Sequence, residues 1–466
     1  MTITPRRAPA RSTRARTRRP ATADTGVRLE PAVQERAVQE RGVPERGVQE
    51  RGVQERGVPV GGRRGSAVRA RARHAAEPAP ALPEITAPAP AVSVRKGARR
   101  APARSAYLGA VVLRCALYLG PLSVALAGGE SLGQVAWPVP LVTLLLGWTA
   151  AQALSCAGVT VARRAGVSAA CRLVGAGFTA VAALWCALVW IAPAALLGPQ
   201  RWLALVVGLG GLAALATVTA ALVTRAEAAV VRWCVPCWAL AAAALAALAG
   251  RPVPGLPIGT LLPAAIVVAL VRAFRPAMIC GTRRPIRLTR PELRRAAGYL
   301  VIGASQAISV GLVWRAGPSG STAPFWLPLL LAVPILEALI GWSTEAGPNR
   351  RGVTAVTLAG MLPPLALGVA LALAAAHTEA RAEVLALAGG TLLGGVFAVT
   401  YLLAARGRTG VAATLAIAPP LLTVALKILP LPAAGPLPDA VGVLAVTHLA
   451  GLLTVALTAA DHRRAS

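Results

Sequence analysis

Lysine is almost missing from this 466-residue chain, with two lysines (Lys96 and Lys427) against forty-six arginines. Acid is scarce as well: eighteen Asp and Glu face forty-eight basic residues, and the sequence pI is 11.7. The carboxylates of the short loops, Glu130, Glu379, Glu383 and Asp439, stand singly. A membrane glycosyltransferase using a lipid-linked donor needs acidic catalysis in an outer loop, so an enzyme is not expected. No Gly-x-x-x-x-Gly-Lys loop occurs, which argues against ATP hydrolysis in this chain. The first hundred residues hold no apolar run, so no cleavable secretory signal is expected. The seven cysteines (Cys115, Cys156, Cys171, Cys186, Cys234, Cys237, Cys280) fall in apolar stretches or basic loops and imply no external disulfide framework. Cys234-Val-Pro-Cys237 has the C-x-x-C spacing but no second ligand pair, and reads as small packing residues rather than a metal site. No other metal or cofactor signature stands out.

What is abundant is apolar length. Stretches long enough to cross a bilayer, which needs about 20 helical residues, occupy roughly 107–127, 135–162, 173–197, 202–224, 229–249, 257–274, 298–314, 324–343, 353–376, 384–405, 411–430 and 440–460. Lipid-exposed backbone must satisfy its own hydrogen bonds, and these runs are too long for barrel strands. The expected fold is an all-α membrane protein of about twelve transmembrane helices. Alternate loops differ sharply in charge. Arg163, Arg164, Arg225, Arg350, Arg351, Arg406, Arg408, Arg463, Arg464 and the Arg275–Arg295 loop make sixteen basic residues, against Arg201, Arg251, Arg315 and Arg381 in the other set. Basic short loops stay inside, so both termini are expected in the cytoplasm and the protein in the cell membrane. Arginine dominance beside Ala, Gly, Val and Pro also matches GC-rich coding. Nucleic-acid binding is therefore not expected from the charge.

Residues 1–106 are a different material, rich in Arg, Pro, Ala and Gly. They contain Val33-Gln-Glu-Arg-Ala, Val38-Gln-Glu-Arg-Gly, Val43-Pro-Glu-Arg-Gly, Val48-Gln-Glu-Arg-Gly and Val53-Gln-Glu-Arg-Gly in series. A period of five matches neither helix nor strand, and glycine and Pro44 weaken any helix. A disordered cytoplasmic arm is expected. Arg95, Lys96, Arg99, Arg100 and Arg104 then precede the first span. They read as a topology determinant, or as a docking segment for anionic lipid head groups.

The Arg275–Arg295 loop divides the spans six and six: a first half over 107–274, a basic loop over 275–297, a second half over 298–460 and a short tail over 461–466. The halves echo one another. Val139-Pro-Leu-Val-Thr-Leu-Leu-Leu-Gly-Trp148 and Val333-Pro-Ile-Leu-Glu-Ala-Leu-Ile-Gly-Trp342 agree at five of ten positions. Val218-Thr…Arg225 matches Val399-Thr…Arg406, and Pro236 matches Pro419 in depth. Matched spans lie six apart and point the same way, a parallel repeat of the kind that places a transport site between halves.

Charges deep in a span cost about 2.5–3.5 kcal/mol on insertion scales and mark cavities or partners. Arg114 lies roughly 10 Å into the first span at 1.5 Å per residue, and is a candidate clamp for an anion or a snorkelling residue. Glu337 is too deep for its short side chain to escape and is the foremost candidate for ion coupling through a proton. His448 could also titrate near neutrality or be a hydrogen-bonded packing residue. Gln306, mid-span, is a second substrate-binding candidate. Arg172, Arg232, Arg272 and Lys427 lie within a turn of span ends, where long stems snorkel. Pro138, Pro140, Pro193, Pro236, Pro263, Pro328, Pro334, Pro363, Pro364, Pro419 and Pro420 are candidate kinks. Glycine runs such as Gly208-Leu-Gly-Gly211 and Gly389-Gly…Gly394-Gly395 read as close helix packing.

The stretch Leu119-Gly-Pro…Gly129-Glu-Ser-Leu-Gly133-Gln-Val-Ala, running into the second span, resembles the first outer loop of polysaccharide flippases in the multidrug/oligosaccharidyl-lipid/polysaccharide exporter superfamily. There a glycine turn begins the second helix; here Leu132 stands at its aromatic position. The resemblance implies a six-plus-six transporter moving a polyprenyl-linked saccharide by alternating access, with cationic cavity residues meeting a pyrophosphate. A major-facilitator transporter shares the topology, but its loop after the second span carries an Asp that Ala162-Arg-Arg-Ala-Gly166 lacks. A non-transporting scaffold of an envelope-assembly complex, working through the arm, is the third reading.

Overall fold

The computed structural model describes residues 104–251, 253–279, 287–317, 327–345, 353–428 and 435–464. The arm with its repeat, the basic run from Arg95 to Arg100, and Cys280 lie outside the described residues. Among the described residues twelve long helices follow one another and no strand occurs. The first half comprises α1 (Arg104–Ala127), α2 (Pro138–Ala165), α3 (Val167–Ile191), α4 (Arg201–Thr224), α5 (Glu227–Leu248) and α6 (Ile258–Ile279). The second comprises α7 (Arg290–Ala316), α8 (Leu327–Glu345), α9 (Val353–Ala374), α10 (Arg381–Ala405), α11 (Thr409–Ile428) and α12 (Pro436–Arg464). Eleven of these are long and apolar enough to cross a membrane, and α8 carries the shorter apolar stretch Pro328–Ser343.

Local chemistry sets the ends. Pro138 opens α2, where its missing N–H costs nothing, and Gly166 closes it at φ 87°. Thr289 and Glu292 form a capping box at the start of α7. Two expected boundaries move. The third helix starts at Val167 and stops at Ile191, because Pro193 forces extended backbone before a separate turn, Ala194–Leu197. The glycine turn after α1 forms its own short helix, Gly129–Gln134, rather than the beginning of α2. Pro138, Pro140 and Pro328 sit in first turns, while Pro236, Pro263, Pro334, Pro363, Pro364, Pro419 and Pro420 lie inside helices, joined by Pro121 and Pro276.

Helix pairing repeats with a shift of six. Within the first half α1 packs on α5, α2 on α4, α3 on α4 and α6, and α4 on α6. Within the second, α7 packs on α11, α8 on α10, α9 on α10 and α12, and α10 on α12. The helices α4 and α10 are therefore the hubs, and they end alike, with Arg225 and Arg406 as C-terminal caps. Their glycines permit the crowding. A Cβ on Gly208 would meet the Trp185 ring; one on Gly390 or Gly394 would lie 2.8 Å from the backbone oxygens of Pro328 and Ala332.

The halves meet at two seams. One joins α2 to α7 and is the most extensive helix pairing in the molecule; the other joins α1 to α8 and is narrower. The same shift of six relates them.

Candidate functional site

At the narrow seam, Arg114 of α1 faces Glu337 of α8, with Nη1 3.6 Å from Oε2. That is ion-pair distance, too long for a hydrogen bond, and Oε2 makes no other. The two side chains live differently: the carboxylate is 4% exposed and the guanidinium 41%. A lone buried carboxylate costs several kcal/mol, so Arg114 is what makes an ionised Glu337 tolerable there. Tyr118, one turn along α1, lies within electrostatic reach of both charges and of Tyr401 on α10, and Cys115 within reach of Glu337. Tyr401 is in turn within reach of Tyr299 on α7. Of these tyrosines, Tyr118 is the one beside the ion pair.

The wide seam carries a hydrogen-bonded chain. Trp148 Nε1 of α2 donates to Gln306 Oε1 of α7 at 3.0 Å, and Gln306 Nε2 donates to Thr400 Oγ1 of α10 at 3.0 Å. Thr400 passes its own proton to the Phe397 carbonyl at 2.9 Å, and the Phe397 ring lies 6.1 Å from that of Trp148. Trp148, Gln306 and Thr400 are all buried. Each end of this seam is tied as well. Arg164 at the end of α2 donates to both oxygens of Glu292 at 3.1 and 3.2 Å and to the Arg287 carbonyl at 2.9 Å. At the opposite end, Arg315 of α7 stacks over Trp137, 4.6 Å from the ring centroid. Between the ties Gly303 lets α7 approach the backbone of Thr149, and Gly311 receives Leu141.

Of the four expected site residues, the structure brings Arg114 and Glu337 together. Gln306 belongs to the other seam, where both ends of its amide are already engaged. His448 sits inside the second half, fully buried against Gly395 of α10. Tyr118 and Tyr299 carried no motif in sequence; Trp148 did, as the last residue of the duplicated Val-Pro…Gly-Trp segment, and Thr400 lies in the second repeat match. Thr400 stands opposite Thr219 in the second repeat match, but Thr219 only returns its proton to the Leu215 carbonyl.

An outward-facing multidrug resistance MATE family transporter of the MOP superfamily superposes on this chain with a TM-score of 0.50 at 12% identity, covering 78% of this chain and 97% of that one. The fold is that of the MATE transporters. A proline-to-alanine MATE mutant (TM-score 0.48, 12% identity, 78% and 97% coverage) and a MATE in complex with Br-NRF (0.47, 13%, 77% and 96%) are further similar structures. No protein-family model matches the sequence, and no curated protein matches it. The superfamily is the one that the glycine turn after α1 resembles.

In this MATE-like frame the remaining charged candidates stay peripheral. Arg172 Nη1 donates to Ser168 Oγ one turn back at 2.9 Å. Arg232 and Lys427 are exposed. Among the described residues no group of three or more His, Cys, Asp or Glu is placed to hold a metal ion.

Proposed function

We propose that this chain is a flippase-like transporter of the cell membrane, both termini cytoplasmic, that moves an anionic, lipid-linked envelope precursor by alternating access of its two halves. The observation that carries this reading is the Arg114–Glu337 pair. A half-exposed guanidinium held by one buried carboxylate, across the narrower seam between halves, can exchange that carboxylate for the anionic head of a substrate. Glu337 is then left without its counter-ion and takes up a proton, which couples substrate entry to proton movement. Five guanidinium N–H groups in a planar fork suit a phosphate or pyrophosphate. The MATE-like fold supports two halves that move against each other.

The scaffold reading has one observation in its favour: α2 and α7 are tied at both ends and in the middle. A seam fastened over its whole length suits a protein whose halves do not separate.

Native mass spectrometry of the purified full-length protein, offered a polyprenyl-pyrophosphate lipid against phosphatidylcholine of similar mass, tests the proposal. Selective retention of the pyrophosphate lipid that falls at least tenfold in Arg114→Ala is the expected result, and Glu337→Gln should retain the lipid at least as well. Equal retention of both lipids, or retention indifferent to Arg114, removes the clamp and moves the weight to the scaffold.

A further inference from the structure

Away from the seams, a cavity of about 310 Å³ opens between the start of α5 and the end of α6. Its floor is apolar and small, formed by Ala226, Ala229, Val230, Pro276 and Ile279, and its rim carries Arg272 and Arg275. The arginines are three residues apart and so share one face of α6. Among the described residues no carboxylate pairs with either, the two ion pairs being those of Arg114 and Arg164. Glu227, the first residue of α5, is not in the lining and forms no ion pair with either arginine. Val271, Met278 and Ile279 are exposed beside the cavity, so its mouth continues into a lipid-facing surface. The first turn of α5 begins at the same rim.

We propose that this cavity is a binding site for an anionic phospholipid, independent of the pair at Arg114. The phosphate of the lipid sits between Arg272 and Arg275, and the upper part of an acyl chain lies over Ala229, Val230, Pro276 and Ile279. Two features select this occupant over a soluble anion. The floor offers nothing to a free phosphate, and the mouth opens where membrane-facing side chains lie. The small residues Ala226 and Ala229 make the volume, and with no ion pair to either arginine among the described residues their charge is left to the ligand.

The experiment uses the full-length protein, stripped of lipid in a neutral detergent and titrated with phosphatidylglycerol, phosphatidylcholine or glycerol 3-phosphate under native mass spectrometry. Three variants accompany it: Arg272→Ala with Arg275→Ala, Ala229→Trp, and Arg232→Ala as a nearby exposed arginine outside the cavity. Phosphatidylglycerol retention should fall about 30-fold in the double variant, the loss that two interfacial arginines carry together. It should also fall in Ala229→Trp, which fills the floor and leaves the charge untouched, and should hold in Arg232→Ala. Retention of phosphatidylcholine as strong as that of phosphatidylglycerol overturns the proposal. So does competition by glycerol 3-phosphate at equal concentration, or a loss in Arg232→Ala as large as in the double variant. A monodisperse elution profile for each variant separates lost binding from lost fold.

Discussion

Gln306 shows how one side chain can serve structure where sequence suggests chemistry. A polar amide in mid-span signals a role because its desolvation is costly. Here that cost is met by Trp148 on one side and Thr400 on the other. Trp148→Phe keeps the ring against Phe397 and removes only the N–H, so it should destabilise the protein by about 0.6–1.7 kcal/mol, the range for interhelical hydrogen bonds in membranes. Gln306→Leu strands the Trp148 N–H as well and should cost about 1–3 kcal/mol. Unfolding in SDS with Trp148→Phe, Gln306→Leu and the double variant measures both; additive losses would show that the two residues do not act as a pair. The depth of Arg114 and Glu337 could be read from sequence because charge is rare in apolar runs. Their pairing could not, since residues 223 positions apart meet only through the packing of α1 on α8. His448 was visible as a buried ionisable group, but the place of its ring depends on the missing Cβ of Gly395, a fact of three-dimensional packing alone.

At the level of helices, the glycines of α10 set how close α8 can come. Gly390 and Gly394, one turn apart, would each place a Cβ 2.8 Å from backbone oxygen of α8, and backbone cannot turn aside as a side chain can. Gly394→Val should therefore lower stability by about 1–3 kcal/mol through overpacking. Gly442 in α12 has nothing within 4 Å of its would-be Cβ, and Gly442→Ala should leave stability unchanged or raise it by up to about 1 kcal/mol. Thermal unfolding of the two variants side by side checks the contrast; equal losses would mean that glycine is needed for something other than close approach. The helices themselves were legible, eleven spans and the shorter α8, in the order that apolar length gave. What sequence misplaced was punctuation of a finer kind. Pro193 ends α3 rather than bending it, and the turn after α1 winds into a helix of its own because its glycines are flanked by good helix residues.

For the whole molecule, the duplicated Val-Pro…Gly-Trp segment forecast two equivalent halves, and helix pairing repeats accordingly. It did not forecast that the two seams would differ. Trp148 and its counterpart Trp342 end the same motif, yet one enters the hydrogen-bonded chain of the wide seam while the other is half-exposed beside Gly360. Identical words in the two halves thus acquire different neighbours, and no local pattern encodes that. The wide seam has a further consequence. Because α7 has its largest partner in α2, across the divide, the peptide link between the halves is not what keeps them together. Two separately translated fragments, divided between Ile279 and Arg287, should find each other in the membrane and copurify through a tag on one of them. The covalent chain, on this view, is a convenience of synthesis, and the association of the halves is written in the face that α2 shares with α7.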